Sequence, residues 1–392
     1  MAHVNVQRAS KSLACPVAPP GGRWLVMSPS ASLRALIPWL TLVLMPGVGF
    51  AASPSKAGPR EPQLVRMEST VDSDAGVRIF VREVRDTSRP SSPVPILLLH
   101  GARAPGVASF DLPVPGGSLA ADLAAAGHRV FLMDARGYGK STRPALMDGE
   151  PSRHAPLVRS DEVVRDVAAV VEWIRQRTGA PRVALFGWAT GGHWAGMYSA
   201  LHPDKVSHLI LDNSLYGGVP QHPSLGKGSG LEDPKMPGRF NAAAMGAYRL
   251  STGPSLVTMW EQNIPVADKD SWRDPAVSRA YIQAALESDP TSASRNPPSL
   301  RAPTGALEDS FYLATGRQLW DGSLVTAATL ILRGELDFWS RPEDSQLLGS
   351  HLVRAASVKR VTIPQATHFV HLDRPEHGRA QLVREVLEFV SQ

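Results

Sequence analysis

The chain has 392 residues, 43% of them hydrophobic and 20% charged, which is typical of a globular protein with a large core. The formal charge of +5 does not indicate a nucleic-acid or anionic-membrane partner, because four basic residues precede Ala51, where there is no Asp or Glu, and the other 37 balance 36 acidic residues. The single cysteine, Cys15, lies in the same early segment, so the mature chain is expected to lack disulfides, a cysteine-based zinc site and a cysteine nucleophile.

The N-terminal segment resembles a secretory signal peptide. Residues 35–55 contain a short apolar run that follows an arginine and precedes several small residues. Two prolines break the run, which argues against a permanent membrane helix. We therefore predict a signal-peptide region at residues 1–52, with Met27 as an alternative start, and a periplasmic or secreted mature protein with no membrane partner.

Strands and helices alternate along most of the remaining chain. Two strand-like runs at 64–70 and 77–84 are followed by mostly apolar runs that predict strands at 95–101, 129–134, 182–187, 207–212 and 326–334, and a further strand is predicted at 358–363. Helices are predicted at 118–127, 160–178, 191–202, 342–354 and 374–390. Short apolar strands that alternate with helices predict an α/β fold with a mostly parallel, doubly wound sheet.

The alternation stops between residues 217 and 323. This stretch is rich in Pro, Gly, Ser and Trp, contains short helical patches such as 275–286, and shows no clear strand. We therefore predict one sheet formed by residues 53–216 and 324–392, interrupted by a cap insertion at 217–323. Some aromatic residues of the insertion are expected to line a cavity, the candidates being Trp260, Trp272, Tyr281, Tyr312 and Trp320.

A strand-turn-helix motif at residues 183–196 lacks the atom that its chemistry would need. Gly187-Trp188-Ala189-Thr190-Gly191-Gly192 matches G-x-S-x-G with alanine in place of the nucleophilic serine. An alanine methyl group can neither attack a carbonyl nor lose a proton. Thr190 is the nearest hydroxyl, but as the nucleophile it would put Trp188 where the tight turn needs glycine, which disfavours that assignment.

Four further motifs follow predicted strands, and the carboxyl ends of parallel strands meet at one edge of a sheet. They are His100-Gly101-Ala102-Arg103, the D-x-R-G-x-G-x-S segment at 134–141, Gly334-Glu335-Leu336-Asp337 and Ala366-Thr367-His368-Phe369. In this order, and together with the turn at Ala189, they resemble the α/β-hydrolase superfamily over residues 63–390, in particular its esterase and proline iminopeptidase-like branches. The resemblance implies an α/β-hydrolase fold with a helical cap after the sixth strand.

The resemblance also implies a role for each site residue. His368 would be the general base, since imidazole titrates nearest neutrality, and Asp337 would hold its tautomer. The backbone N–H groups of Ala102 and Thr190 would form the oxyanion hole around the nucleophile position, Ala189. The substrate would be a small ester or amide, and the chemistry needs neither a cofactor nor a metal.

Several alternatives remain open at this point. Asp212, at the end of the sixth strand, competes with Asp337 as the acid, and His371 competes with His368 as the base, although we interpret His371 as a wall residue. The alanine could be an engineered replacement of a serine. It could instead belong to a natural enzyme with a nucleophile-independent His/Asp pair, of the lyase, decarboxylase or cofactor-free oxygenase type, or to a binding protein without turnover.

Overall fold

The computed structural model describes residues 61–392. The predicted signal-peptide region at 1–52, with its alternative start at Met27, lies outside the described residues. The main sheet contains β1 (Leu64–Asp72), β2 (Arg78–Asp86), β3 (Ile96–Leu99), β4 (Val130–Met133), β5 (Val183–Trp188), β6 (Val206–Asp212), β9 (Ala328–Gly334) and β10 (Val358–Ile363), and a second sheet contains β7 (Tyr248–Thr252) and β8 (Ser299–Pro303).

The helices occur between the strands of the main sheet, after its last strand and in the insertion. They are α1 (Gly106–Phe110), α2 (Leu119–Ala125), α3 (Ser160–Thr178), α4 (Thr190–Leu201), α5 (Ala242–Met245), α6 (Gly253–Asn263), α7 (Pro275–Glu287), α8 (Gly305–Leu313), α9 (Pro342–His351) and α10 (Arg379–Val390). Within residues 61–392, no helix has the length and apolar character required to cross a membrane.

The eight-stranded sheet has the order β1-β2-β4-β3-β5-β6-β9-β10. Strand β2 pairs antiparallel with β1 and β4, and all the other pairs are parallel. Every residue of β3, β4 and β5 is buried, as expected for strands covered by helices on both faces. The structure therefore confirms the predicted α/β fold with a mostly parallel sheet.

The insertion between β6 and β9 contains two strands that the sequence pattern did not predict. Strands β7 and β8 pair antiparallel, with Tyr248 opposite Pro303 and Thr252 opposite Ser299. Each strand has only five residues, and α6 and α7 separate them along the chain. The expectation of no strand here was wrong because so short a pair is stabilised by tertiary contacts, which local propensity does not report.

Sheet order explains how the candidate site is assembled. Strands β3, β5, β6 and β9 are consecutive neighbours, and the three pairs that they form are parallel. The segments that follow their last residues, Leu99, Trp188, Asp212 and Gly334, therefore emerge side by side at one edge. This edge faces the insertion, and it contains most of the sequence motifs described above.

Candidate active site

Ala189 occupies the strained residue of a turn between β5 and α4. Its backbone dihedrals are φ 53° and ψ −116°, a combination that costs a non-glycine residue about 1–3 kcal/mol. Two hydrogen bonds hold the turn: the Ala189 amide donates to the Asp212 carbonyl at 2.8 Å, and the Gly192 amide donates to the Ala189 carbonyl at 3.1 Å. The conformation expected of a nucleophile is therefore present without the nucleophilic oxygen.

The glycines on either side of this turn leave no room for side chains. A Cβ atom on Gly187 would overlap the Gly191 carbonyl group, and one on Gly191 would overlap the carbonyl oxygen of Leu99. The N-terminus of α4 consequently packs directly against the end of β3. Close backbone approach explains the glycine at both positions.

His368 and Asp337 are in direct contact at the edge of the sheet. Nδ1 of His368 lies 2.7 Å from Oδ1 of Asp337, and both side chains are more than nine-tenths buried. Asp337 also accepts hydrogen bonds from the Trp339 amide at 2.9 Å and the Ser340 amide at 2.8 Å. With Nδ1–H donating to this carboxylate, Nε2 of His368 carries the lone pair that can take a proton.

Asp212, the competing acid, makes no hydrogen bond with His368. It is fully buried, and neither carboxylate oxygen has a hydrogen-bond partner among the residues that the structure describes. Burial, followed by the charges of Asp337 and Asp373, raises the pKa of Asp212 well above its ordinary value. The contribution of Asp212 to the turn is its backbone carbonyl, which accepts from the Ala189 amide.

His371, the competing base, lies behind the turn and not on the cavity surface. Its ring is completely buried and meets the Trp188 ring edge-on, with centroids 4.6 Å apart. Burial lowers the pKa of His371 well below its ordinary value. The expectation that this residue forms part of the cavity wall was wrong, because the Trp188 side chain lies on the cavity side instead.

The residues of the two predicted oxyanion donors, Ala102 and Thr190, line the same cavity as Ala189. Thr190 is the first residue of α4, so its amide has no acceptor within the helix, and the helix N-terminus adds partial positive charge. The Ala102 carbonyl, in the peptide plane that adjoins the one containing the Ala102 amide, accepts from Tyr138 Oη at 3.3 Å and from Arg249 Nη2 at 3.0 Å. Residue patterns did not predict roles for Tyr138 and Arg249, although Tyr138 lies in the D-x-R-G-x-G-x-S segment.

The hydroxyl of Thr190 shows no sign of activation. Its Oγ1 is buried and makes no hydrogen bond within residues 61–392, and in particular none with His368. A threonine nucleophile needs a hydrogen bond to its base, at least in the reactive complex. The geometry therefore supports Thr190 as an amide donor and not as a nucleophile.

The motif at 134–141 forms a hydrogen-bond network next to the site. The Asp134 carboxylate accepts from the amides of Gly106 at 2.8 Å and Lys140 at 2.9 Å, and His100 Nε2 accepts from the Ala135 amide at 3.1 Å. These contacts connect the loops after β3 and β4. They orient the Ala102 segment without contacting the cavity themselves.

A cavity of about 310 Å³ connects these groups with the insertion. Its wall includes Ala102, Ala189, Thr190 and His368 from the sheet edge, together with insertion residues Leu225, Leu231, Arg249, Leu256, Met259, Tyr281 and Leu307. Of the five candidate aromatic residues of the insertion, Tyr281 is the one that lines this cavity. Trp260, for example, is occupied elsewhere, since it stacks on Phe369 and donates to Asp373 at 2.7 Å.

The described residues offer no metal centre, because no group of three His, Cys, Asp or Glu side chains within 61–392 is arranged to hold an ion.

The family model described as alpha/beta hydrolase fold matches residues 94–375. The chain belongs to the α/β-hydrolase family. The expected superfamily is thereby confirmed.

Curated proteins from other organisms resemble parts of this chain. The human (Lyso)-N-acylphosphatidylethanolamine lipase is 27% identical over 205 residues, which cover 50% of this chain and 53% of the lipase. The 2-hydroxy-6-oxononadienedioate/2-hydroxy-6-oxononatrienedioate hydrolase 1 of Dechloromonas aromatica is 32% identical over 128 residues, covering 32% of this chain and 38% of that hydrolase. The chain thus spans about half the length, or less, of these curated relatives.

Solved structures of other α/β hydrolases match over a larger part of the chain. E-2-(acetamidomethylene)succinate hydrolase matches with a TM-score of 0.53 and 15% identity, covering 84% of this chain and 100% of that one. An epoxide hydrolase mutant from Vigna radiata matches with a TM-score of 0.52 and 15% identity, covering 83% and 98%. At these identities the likeness shows the fold alone.

Proposed function

We propose that this chain is an exported enzyme of the acyl-hydrolase type that acts on a small ester or amide without a protein nucleophile. His368 is the general base, and Asp337 holds it in the required tautomer. The observation that carries the proposal is the 2.7 Å contact between His368 Nδ1 and Asp337 Oδ1, next to a turn whose nucleophile position, Ala189, is a methyl group.

In this mechanism a water molecule replaces the missing hydroxyl. The lone pair on His368 Nε2 accepts a proton from the water while its oxygen forms a bond to the substrate carbonyl carbon. The amides of Ala102 and Thr190 stabilise the negative charge that develops on the carbonyl oxygen. His368 then returns the proton to the leaving alcohol or amine as the tetrahedral intermediate breaks down, so no covalent enzyme intermediate forms.

Two features support an active site over a binding site that merely retains the fold. A cavity that only binds a ligand has no need of a histidine whose Nδ1 is directed at a buried carboxylate. The turn at Ala189 also retains a φ of 53°, although strain of this kind costs stability and is typical of functional sites. Both features are expected where the amide of Thr190 must be aimed at a reacting oxygen.

The test compares four forms of the chain beginning at Ser53: unaltered, Ala189→Ser, His368→Ala and Thr190→Val. Each is assayed for burst and steady-state hydrolysis of short nitrophenyl esters and aminoacyl anilides. The unaltered form should turn over slowly without a burst and lose at least ~10²-fold of this rate in His368→Ala. Ala189→Ser should add an acyl-enzyme burst.

The fourth form, Thr190→Val, is the control that tests whether the hydroxyl nearest to residue 189 acts as the nucleophile. Thr190→Val removes Oγ1 but keeps the amide, so it should hydrolyse the esters at close to the unaltered rate. A large loss in this variant would instead make Thr190 the nucleophile. Activity confined to Ala189→Ser would identify a serine hydrolase silenced at residue 189, and inactivity of every form would favour the binding protein.

Export is the second part of the proposal and rests on the sequence of residues 1–52. Expression of the whole gene, followed by cell fractionation and N-terminal sequencing, tests it directly. We expect the protein in the periplasm or medium, with an N-terminus near Ser53. Cytosolic protein that retains the apolar segment would contradict export without affecting the proposed chemistry.

A further inference from the structure

Two arginines line the cavity beside the proposed oxyanion donors. Arg103 follows Ala102 after β3, and Arg249 belongs to β7 of the insertion. Neither side chain is fully exposed, and each donates to a neutral carbonyl: Arg103 Nη1 to Ser255 at 2.8 Å, and Arg249 Nη2 to Ala102 at 3.0 Å. Two positively charged side chains, one from the sheet edge and one from the insertion, therefore line an otherwise largely apolar cavity.

Neither guanidinium has an acidic partner in the part of the chain that the structure describes. The cavity wall contains no Asp or Glu, and within residues 61–392 neither guanidinium forms an ion pair. Buried arginines elsewhere in the protein do have such partners, as in the pairs Arg136–Asp166 at 2.7 Å and Arg301–Asp289 at 3.0 Å. Arg143 and Arg333 also donate only to carbonyls, but neither lines this cavity. The cavity is therefore distinguished by two such arginines on one wall that has no Asp or Glu.

This arrangement is unfavourable for the protein by itself. Burial, and next the charge of Arg103, lowers the pKa of Arg249 to about 10. The Nε atom of Arg249 is also buried without an acceptor among the described residues. A desolvated cation with unused N–H groups is costly to maintain, and an anion that enters the cavity offsets that cost.

We propose that the substrate supplies the missing counter-charge as a carboxylate bound by Arg103 and Arg249. A guanidinium presents parallel N–H groups whose spacing matches the two oxygens of a carboxylate. A small carboxylic acid also fits a wall that is otherwise mostly apolar. The substrate class is therefore a small ester or amide that carries a free carboxylate.

The position of Arg249 places the carboxylate close to the reacting group. The amide nitrogen and carbonyl oxygen of one residue lie within about 4 Å of each other. Because Arg249 Nη2 is 3.0 Å from the Ala102 carbonyl oxygen, it lies within about 7 Å of the Ala102 amide nitrogen. With a hydrogen bond of about 3 Å at each donor, the carboxylate and the scissile carbonyl oxygen lie at most about 13 Å apart, within the span of a small molecule, and this last step rests on the function proposed above.

Binding measurements test the carboxylate site without requiring turnover. Calorimetric titration of the full chain compares acids with their isosteric neutral amides: butyrate with butyramide, and phenylacetate with phenylacetamide. Each acid should bind at least ~10-fold more tightly than its amide, since hydrogen bonds to charged groups are the stronger kind. Inorganic phosphate serves as a third probe and should bind more weakly than either acid.

Three variants test which arginines cause the tighter binding of acids than of amides. Arg103→Gln and Arg249→Gln should each abolish most of it, whereas Arg354→Gln, which removes an exposed arginine outside the cavity wall, should leave it unchanged. If loss of the Arg249 contact with Ala102 disturbs folding, Arg103→Gln still tests the site, because Arg103 donates to the Ser255 carbonyl instead. The comparison of acid with amide in the unaltered chain needs no variant.

Equal affinity for acids and amides would overturn the proposal, as would a preference that survives both cavity variants. Tighter binding of inorganic phosphate would overturn the carboxylate class. The outcome is separable from that of the proposed function. Carboxylate binding without hydrolysis of nitrophenyl esters that carry a free carboxylate would refute only the hydrolase mechanism, and hydrolysis without a carboxylate preference would refute only the arginine site.

Discussion

Asp337→Asn exchanges one carboxylate oxygen for an NH₂ group at a position surrounded by hydrogen-bond donors. Oδ1 faces His368 Nδ1 at 2.7 Å and the Trp339 amide at 2.9 Å, while Oδ2 faces the Ser340 amide at 2.8 Å. Whichever way the asparagine turns, its NH₂ group meets a donor that has lost its acceptor. The substitution is therefore nearly isosteric but cannot keep all the hydrogen bonds.

The two orientations of the asparagine predict different amounts of damage. If the NH₂ group faces His368, the imidazole proton moves to Nε2, and the neutral ring can no longer act as a base on the cavity side. A wrong tautomer of this kind costs about 10⁴-fold in kcat, or about 5 kcal/mol. If the NH₂ group faces Ser340, a buried unsatisfied donor lowers the free energy of unfolding by about 1–3 kcal/mol.

Steady-state hydrolysis of the best ester, measured together with urea unfolding, separates these effects. The assay is run in the unaltered chain and in the Ala189→Ser form. His368 is thereby tested as the base both for water and for a serine nucleophile. Asp212→Asn is the matched control, because its carboxyl group is equally buried but makes no hydrogen bond with His368. It should remain within ~10-fold of the parent rate. A larger loss in Asp212→Asn than in Asp337→Asn would refute the assigned pair.

Three further predictions concern the turn and the groups around it. Gly191→Ala should lower the free energy of unfolding by more than ~3 kcal/mol, because its Cβ would overlap a backbone carbonyl, whereas Gly230→Ala, in open space, should be nearly neutral in urea titrations. The raised pKa of Asp212 means that stability due to this carboxyl is fully present below the unfolded-state pKa and falls as pH rises above it. Asp212→Asn should therefore gain stability relative to the parent between pH 4 and pH 8, and a constant difference would argue against a buried, protonated Asp212. Tyr138→Phe removes one of the two donors to the Ala102 carbonyl and should reduce kcat by up to ~10-fold with KM little changed; an unaltered kcat would show that this hydrogen bond does not position the amide.

The fold and much of the site could be predicted from residue patterns alone. Apolar runs such as 183–187 have the length and composition of buried parallel strands, and their order predicts one continuous sheet. Since parallel strands end at a common edge, the motifs containing Ala102, Ala189 and Asp337 were expected to converge there. Local spacing is sufficient for this because the sheet imposes the long-range geometry.

Other features depended on contacts between distant segments. Asp212 is the last residue of β6 and Asp337 follows β9, and only packing decides that Asp337 meets His368 while Asp212 is buried in the core. The cap strands β7 and β8 are too short to be recognised locally. Their pairing helps to place Arg249 in the cavity, where it contacts the Ala102 carbonyl across 147 residues.

The division between sequence and tertiary structure has a physical basis. Periodic burial and tight glycine turns are properties of neighbouring residues, so the sequence by itself determined the α/β architecture and the absence of a hydroxyl at residue 189. Which charges remain unpaired is a property of the whole packed molecule. Only the tertiary structure could therefore show that Arg103 and Arg249 share a cavity wall without Asp or Glu, because no local pattern reports the lack of a partner.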